Sequence, residues 1–482
     1  MKGTLVQLQG KGVEDFHLTT NPEFSYFKTA YKRYTPFSME SIECFFNKKP
    51  KFGSLCSATL NRSGSLISKV YLEVDLPYSE NTNATWTNRV GFNLIKKIEF
   101  IIGDTIIERQ IGLWMYLWSE LSSTFDKHKI LDDLVGTTSK SNLFTNGLSA
   151  NIPHKLIIPI NLYFCRNIEN ALPVTAISNQ NITFKFYFEK KDKCLQNGNV
   201  DGDILNSRLW IDHIYVEKTE EIKIIQRSHS YLIEIPQHYE KNLNNNGDNL
   251  INIPFKLPCK ELIWILKKKN LESSNDKFTN FTEGLNNSVN FASFYQHYNY
   301  GGWETTLEPG DYDNTKLLKI NPDFNMLSSV KINGLTIILY TGNNFNGNSI
   351  TLTENNSGLG IYNDSIRSIK ILSNSRSNMN LLNTVQMKID SKNIFSTLKK
   401  NNVYFNKYIP YRYHKGNPNL GIYSYPFCIY PEDYQPSGFL NLCNVNKFNL
   451  QLNCKKSLVH IFSLSYNVLE IKDNMCSLKY KY

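Results

Sequence analysis

Residues 416–442, GNPNLGIYSYPFCIYPEDYQPSGFLNL, constrain the fold of this chain more than any other stretch. An aromatic extended run at 422–429 is followed by a polar corner at 431–433, and a second turn at 436–438 leads into another strand. Because proline fixes φ and glycine adopts angles that other residues avoid, two corners this close together define the path of the chain. The stretch contains neither a nucleophile–base pair nor a set of metal ligands, so it indicates an architectural role.

Most of the remaining chain alternates apolar and polar residues with a period of two, as at 66–74, 182–188 and 209–216. Its 28 tyrosines and 28 phenylalanines suit the half-buried faces of strands. Many short strands separated by Gly, Asn, Pro and Ser indicate antiparallel sandwiches or barrels. A length of 482 residues exceeds one ordinary core and predicts two or three domains.

Two helices are predicted within this all-β pattern. The first covers residues 21–34, where Asn21 is suited to the N-cap and Pro22 to the first helical position. The second covers residues 113–123, LWMYLWSELSS. The apolar face of the first helix consists of Phe24, Phe27 and Tyr31.

Changes in composition suggest where domains meet. The charged run 217–226 follows a predicted closing strand and is expected to join two domains. Residues 231–266 begin a second all-β unit, and the polar stretch 267–290 is interpreted as a linker.

One internal repeat follows that stretch. Residues 295–302, YQHYNYGG, and 340–347, YTGNNFNG, share the pattern aromatic-x4-aromatic-x-Gly. Each is followed by a serine-containing corner that leads into a strand, at 325–332 and 363–371. A glycine after an aromatic corner lets the chain fold back over the ring, which predicts a Greek-key hairpin in each copy. Two copies make one small sandwich.

Charge, cysteines and motifs exclude several function classes. The net charge of +10 implies attraction to polyanions, but the basic residues are scattered, so we expect a diffuse surface property and no specific nucleic-acid partner. The nine cysteines form no CxxC pair and no zinc-spaced cluster, which favours reduced thiols in a cytoplasmic setting. No catalytic fingerprint surrounds the nine histidines, and His213, on a predicted strand, is interpreted as a packing residue. Residues 197–202 imitate the start of an EF-hand loop but are interpreted as a surface turn.

The repeat resembles the βγ-crystallin domain over residues 289–373. Some members of that family bind calcium through a six-residue pattern of two Asn/Asp, two variable residues, Ser/Thr and Ser. The corresponding residues here are 324–329, FNMLSS, and 363–368, NDSIRS.

The resemblance implies two calcium sites, each built from both halves of the sandwich. One is expected to be inactive, because Phe324 and Arg367 both fall in it. The other combines Ser328 with Asn363 and the backbone of Ser365, and predicts a weak calcium site with oxygen ligands. In the alternative interpretation, these corner residues only satisfy backbone groups.

The rest of the chain resembles the double-jelly-roll major capsid proteins of nucleocytoplasmic large DNA viruses. In the first half the resemblance rests on residues 10–37, 52–53, 66–72, 86–91 and 94–99, and in the second on 261–264, 416–442 and 466–471. It departs from the family pattern in two respects: Tyr34-Thr35 replaces the more usual His-Thr, and the crystallin-like unit interrupts the second half.

The resemblance implies two consecutive jelly rolls, with the small Greek-key sandwich inserted in the second. We therefore predict an N-terminal arm with a short helix at 1–35 and a first jelly roll at 36–217. The second jelly roll comprises 218–288 and 374–482, and the inserted βγ-crystallin-like domain covers 289–373.

The function implied is structural and not enzymatic: a homotrimer forming a pseudo-hexagonal capsomer of an icosahedral shell, assembled in the host cytoplasm. Expected partners are other copies of the chain, minor capsid proteins, the inner viral membrane and, for the inserted domain, the host surface. Phe24, Phe27 and Tyr31 either anchor the base of the capsomer or pack on the first jelly roll. No cofactor is required, although Ca²⁺ is possible in the inserted domain. The alternatives are a minor or vertex capsid paralogue, a calcium- or carbohydrate-binding β-sandwich protein, and a β-sandwich hydrolase acting on glycans.

Overall fold

The computed structural model consists of two antiparallel jelly rolls in sequence, with a small two-sheet unit inserted in the second. The residues it describes are 3–10, 12–13, 16–29, 31–80, 82–137, 147–268, 276–283, 292–307, 310–332, 335–373, 380–395 and 400–480. In these ranges no helix is both long enough and apolar enough to cross a bilayer.

The N-terminal arm contains two short helices, α1 (Gly3–Gln9) and α2 (Phe16–Thr19). The helix predicted for residues 21–34 is wrong: the described residues there form bends and turns, and Asn21 has a left-handed φ of 52°. Aromatic residues have modest helix propensity, and short helices depend on packing for stability. Every side chain described between 21 and 34 is exposed, so this packing is missing.

The first jelly roll is built from eleven strands among its described residues. They are β1 (Phe37–Cys44), β2 (Leu55–Thr59), β3 (Leu66–Leu76), β4 (Thr85–Trp86), β5 (Ile95–Ile102), β6 (Thr105–Gln110), β7 (His154–Ile160), β8 (Leu172–Pro173), β9 (Ile182–Phe188), β10 (Leu195–Asn197) and β11 (Asn206–Val216). Its helices are α3 (Val90–Leu94), α4 (Gly112–Ser122), α5 (Phe125–Val135), α6 (Tyr163–Arg166) and α7 (Lys191–Cys194). Helix α4 confirms the second predicted helix, and its residues are buried through Leu121.

The charged run after β11 forms helix α8 (Lys218–Gln226), which leads into the second jelly roll. That roll begins with β12 (His229–Leu243), β13 (Gly247–Asn252) and β14 (Pro258–Lys267).

The inserted unit follows β14. Its elements are β15 (Ala292–His297), β16 (Gly301–Leu307), β17 (Gly310–Tyr312), α9 (Asn314–Ile320), β18 (Ser329–Ile332), β19 (Leu335–Tyr340), β20 (Ser349–Leu352) and β21 (Ser368–Ser373). They form two sheets, ordered β16-β15-β18 and β17-β21-β19-β20, around a separate hydrophobic cluster. The predicted boundaries of this domain, at 288/289 and 373/374, adjoin residues 284–291 and 374–379, which lie outside the described residues.

Both copies of the internal repeat adopt the same aromatic corner. Tyr300 and Phe345 have left-handed φ values of 64° and 62°, and the glycines two residues later, Gly302 and Gly347, have 79° and 83°. A serine hydroxyl accepts a hydrogen bond from the amide of each aromatic residue, at 3.0 and 2.9 Å. The two serines are Ser329 and Ser368.

The second jelly roll resumes after the insertion. Its remaining elements are β22 (Leu382–Ile389), β23 (Lys392–Asn393), β24 (Lys400–Asn401), α10 (Ile409–Tyr413), β25 (Ile422–Pro426), β26 (Leu440–Asn441), β27 (Phe448–Cys454), β28 (Ser457–Lys472) and β29 (Met475–Leu478).

The strand order is the same in the two rolls. One sheet is ordered β1-β11-β3-β7 in the first roll and β12-β28-β14-β25 in the second. The opposing sheet is ordered β2-β9-β5-β6 in the first and β13-β27-β22-β23 in the second. Counted over the eight main strands of each roll, both read 1-8-3-6 and 2-7-4-5. The predicted fold class, two jelly rolls with a sandwich inserted in the second, is confirmed.

The two rolls share a hydrophobic core. Strand β14 is buried on both faces: Ile263 and Ile265 point into the core shared with the first roll, whereas Leu262 and Trp264 point into the core of the second. Burial on both faces explains why the sequence LIWIL is continuously apolar instead of alternating. This shared core makes the two rolls one packed body.

Candidate functional site

A chain of buried charges crosses the junction between the rolls. Glu108 of the first roll pairs with Arg166 at 3.1 Å, and Arg166 reaches Glu234 of β12 at 3.5 Å. Lys260 of β14, which is fully buried, pairs with the same Glu234 and donates to the carbonyl of Asp433 at 2.7 Å. Because an unpaired charge is costly in a dry interior, this chain of ion pairs fixes the relative position of the rolls.

The polar corner at 431–433 is where a second set of charges meets. His414 lies between two carboxylates: Nε2 is 2.7 Å from Glu261, and Nδ1 is 3.2 Å from Glu432. Burial opposes the charged imidazole, but the attraction of Glu261 and the hydrogen bonds to both carboxylates outweigh it and raise the pKa of His414 to about 9. Glu432 also accepts from the backbone amide of Lys415 at 2.8 Å.

A third buried cluster surrounds Arg89 in the first roll. Its guanidinium pairs with Glu120 at 2.7 Å and with Asp132 at 2.6 Å. His128 lies 3.0 Å from Glu120. Burial disfavours the charged imidazole, but hydrogen bonds to Asp132 and Glu120 raise the pKa of His128 to about 9. The backbone amide of Asn419, in the second roll, donates to Glu120 at 3.2 Å, so this cluster also connects the rolls.

Residues 276–283 correct the interpretation of 267–290 as a linker. Within this range Asp276 is buried and accepts from the amide of Asn88 in the first roll at 2.7 Å, as well as from the amides of Phe278 and Thr279. The ring of Phe281 is fully buried. The segment therefore docks onto the first roll instead of passing over the surface. The polar composition of the segment gave no sign of this docking. Asp276 can be buried because it accepts hydrogen bonds from nearby backbone amides, as in an Asx-turn.

A cavity of about 520 Å³ opens beside the ion pairs of the junction. Two of its cationic lining residues are engaged within the protein: Lys69 donates to the carbonyl of Cys165, and Arg166 is held by Glu108 and Glu234. Paired charges of this kind hold a junction together.

The predicted anchoring residues lie on the arm and remain uncovered. Phe27 is fully exposed, and Phe24 and Tyr31 are 66% and 81% exposed. The ring of Phe24 contacts Tyr26 edge-on, at a centroid distance of 5.1 Å. Of the two sequence interpretations, packing on the first jelly roll is not observed for these three rings.

The predicted calcium residues come together at the junction of the two halves of the inserted unit. The amide of Leu359 donates to the carbonyl of Ser328 at 2.9 Å, which places the second half against the first. The Ser328 hydroxyl donates to the Gln296 carbonyl, and that of Ser365 to Tyr362. Asn363 Oδ1 is buried and has no hydrogen-bond partner among the described residues. A buried amide oxygen without a hydrogen-bond partner is of the ligand type that a hard cation takes.

The residues that sequence reasoning missed are the charged ones inside strands. Lys260 and Glu261 interrupt the apolar run of β14, and both are fully buried. Charged residues are rarely buried unless paired, so their position within such a run was the available signal. Their partners, Glu234 and His414, are distant in sequence and carry no local signal.

Two family models match the chain. One is described as "Major capsid protein N-terminus" and covers residues 25–220. The other is described as "Large eukaryotic DNA virus major capsid protein" and covers residues 220–477.

Similar proteins agree with these models. The chain is 26% identical to a major capsid protein of Phaeocystis pouchetii virus and 23% identical to that of Paramecium bursaria Chlorella virus 1, in each case across the whole of both chains. Among solved structures, a PBCV-1 virus capsid model has a TM-score of 0.67 at 19% identity and covers 95% of this chain and 100% of its own. The Faustovirus major capsid protein has a TM-score of 0.64 at 13% identity, covering 97% of this chain and 96% of its own. The structural matches show the same fold.

Proposed function

Because the chain belongs to the major capsid proteins of large eukaryotic DNA viruses, and so is a structural protein of the virion capsid, we propose that it acts as a homotrimer. Three copies supply six jelly rolls, which form a pseudo-hexagonal capsomer of an icosahedral shell. The observation that carries this proposal is the identical strand order of two rolls joined by a shared core. Because each rigid chain contains two equivalent rolls, an assembly with threefold symmetry has an outline that is approximately sixfold.

The role we propose is mechanical and not catalytic. Lateral contacts between capsomers are individually modest and gain strength through their number across the shell. Assembly takes place in the host cytoplasm. The inserted unit of β15–β21 is the observation that supports the alternative role of a minor or vertex capsid protein. The copy number per particle distinguishes this role from that of the main shell-forming protein.

The N-terminal arm is proposed to anchor the base of the capsomer. Its exposed rings stand beside Lys28, Lys32 and Arg33, a combination that suits minor capsid proteins or the anionic inner membrane. Replacement of Phe24, Phe27 and Tyr31 by serine is expected to leave the oligomeric state unchanged and to reduce co-sedimentation with anionic vesicles severalfold. The matched control is Tyr187→Ser, at a partly exposed ring on β9. If the triple variant binds vesicles as well as the wild type does, the three rings do not contact the membrane, and the arm would anchor the capsomer through protein partners.

The inserted unit is proposed to be an outer domain that touches the host surface and takes no part in trimer formation. It has its own hydrophobic cluster and occupies the connection between β14 and β22. Replacing residues 289–373 with a short Gly/Ser linker is expected to leave the native mass at three times that of the shortened chain. Native mass spectrometry of the full chain, at three times 55.7 kDa, is the reference. A full chain that is monomeric would contradict the proposed trimer. If the full chain is a trimer and the shortened chain is not, the inserted unit is part of the subunit interface.

The inserted unit is also proposed to bind Ca²⁺ weakly through Ser328, Asn363 and the backbone of Ser365. Asn363→Ala is expected to weaken calcium binding at least about tenfold, because it removes the only side-chain amide oxygen among the three proposed ligands. Titration calorimetry of the wild-type chain and this variant measures the effect. Asn346→Ala, at the corner of the second repeat, is the control. Equal calcium affinity in the wild type and N363A would mean that these residues only form hydrogen bonds with backbone groups.

A further inference from the structure

Two histidines and a glutamate meet on the sheet of the second roll that faces the first. His238 and Glu240 are two residues apart on β12, so their side chains share one face. His460 of β28 is the direct cross-strand partner of Glu240. His238 Nε2 lies 3.1 Å from His460 Nδ1, and that nitrogen lies 3.5 Å from Glu240 Oε2. All three candidate ligand atoms lie within 4.8 Å of one another.

We propose that His238, Glu240 and His460 bind a divalent transition metal ion of the zinc type. Zinc takes imidazole nitrogen and carboxylate oxygen at about 2.0–2.2 Å in a tetrahedral arrangement, which places neighbouring ligand atoms about 3.3–3.6 Å apart. The two distances measured here, 3.1 and 3.5 Å, are within a few tenths of an ångström of that edge. Two imidazoles and one carboxylate are a ligand set that leaves the fourth position open.

Metal binding requires only a small change in the two imidazoles. Their planes differ by 13° and their centroids are 5.4 Å apart, so the rings meet through a nitrogen–nitrogen hydrogen bond. Moving the shared proton to the other nitrogen of its own ring frees both facing lone pairs, and the rings then turn toward the ion. The two strands that carry the ligands are paired with each other along the β12–β28 ladder, so the ligand positions are set before binding.

The open position faces the groove between the two rolls. A cavity of about 510 Å³ reaches both Glu240 and His460. Besides Glu240, its lining carries two acids, Glu189 and Asp192, and four lysines, which are Lys96, Lys193, Lys267 and Lys277. A bound ion would join β12 to β28 at the edge of the junction, and water can occupy its fourth position.

Zinc binding to the full-length chain tests this inference. The variants are made in a Cys443→Ser background, since Cys443 is the exposed thiol and would itself take zinc. We expect one zinc ion per chain by calorimetry and by elemental analysis after dialysis. Glu240→Gln is expected to weaken binding at least about tenfold, and H238A with H460A to abolish it. The control is His297→Ala, an exposed histidine of the inserted unit.

The outcomes separate a metal site from a hydrogen-bonded histidine pair. Zinc affinity that is unchanged in both E240Q and the double histidine variant overturns the inference, as does the absence of stoichiometric binding by the parent. If the double variant does not fold, as judged by its circular dichroism, E240Q decides alone, because Glu240 is exposed and its replacement is isosteric. A rise in the melting temperature of the parent with zinc, absent in E240Q, is the accompanying expected result.

Discussion

Replacement of Arg89 by methionine is expected to lower the free energy of unfolding by about 3–5 kcal/mol. The Arg89 side chain is only 5% exposed, and its guanidinium is the cation shared by Glu120 and Asp132. Methionine fills part of the same volume but leaves Glu120, which is 2% exposed, without that cation. Burial raises the pKa of Glu120, but the attraction of Arg89, together with His128 and the Asn419 amide, outweighs it and holds the pKa below its usual value. The lost interaction therefore acts on a charged carboxylate. Equilibrium unfolding in urea measures the change.

The matched control is an exposed ion pair. Lys218 contacts Glu221 at 2.9 Å on the surface of α8, and Lys218→Met is expected to change stability by less than about 0.5 kcal/mol. Adding Glu120→Gln to R89M is expected to recover part of the loss, because the unpaired charge is then removed. A loss below about 1 kcal/mol for R89M would show that His128 and water replace the guanidinium, and that the cluster does not hold the rolls together.

Stability is expected to fall by up to about 3 kcal/mol per histidine as the pH rises from 6.5 to 9, through His414 and His128. The pKa of each is raised to about 9 in the folded chain. Below pH 6.5 both are protonated in the folded and the unfolded chain, and their stabilising contribution is complete. Between 6.5 and 9 the unfolded chain loses these protons while the folded chain keeps them, so the contribution decreases and is lost above pH 9. Urea unfolding across this pH range measures it.

The variant that isolates His414 is His414→Gln. Glutamine does not titrate, so the decrease between pH 6.5 and 9 is expected to be smaller in H414Q by the contribution of His414, whatever its stability at pH 6.5. Because Glu261 and Glu432 lose their cation, H414Q is also expected to be less stable overall. His297→Gln is the control and is expected to keep the pH dependence of the wild type. An H414Q profile parallel to the wild type would mean that the buried imidazole is neutral.

The aromatic corners show where local sequence was sufficient. The pattern aromatic-x4-aromatic-x-Gly predicted two equivalent turns, and Tyr300 and Phe345 adopt left-handed φ values within 2° of each other. Such turns depend on residues a few positions apart, so their requirements are visible in the chain itself. Similarly, the run LWMYLWSELSS predicted α4 to within one residue.

The arm and the supposed linker show where local sequence misled. Residues 21–34 carry good helix-start signals, yet the described residues among them form no helix, because propensity alone does not stabilise a short unpacked segment. Residues 276–283 look like solvated loop, yet they are held by Asn88 and by rings of the first roll. In both segments the conformation depends on whether another part of the protein packs against it. Such packing involves residues that are distant in the sequence.

The sequence by itself determined the strand-rich architecture, the order of its strongest elements and the family, since alternation, corners and long motifs are local patterns. Only the tertiary structure decided which charges are buried together. Lys260 meets Glu234, His414 meets Glu261, and His460 meets Glu240, in each case across separations of 26 to 220 residues. For the residues that lie on strands, pairing at such separations follows from strand order and register, because a shift of one residue would turn each side chain to the opposite face. His414 follows the end of α10, so its pairing depends on how that helix packs against β14.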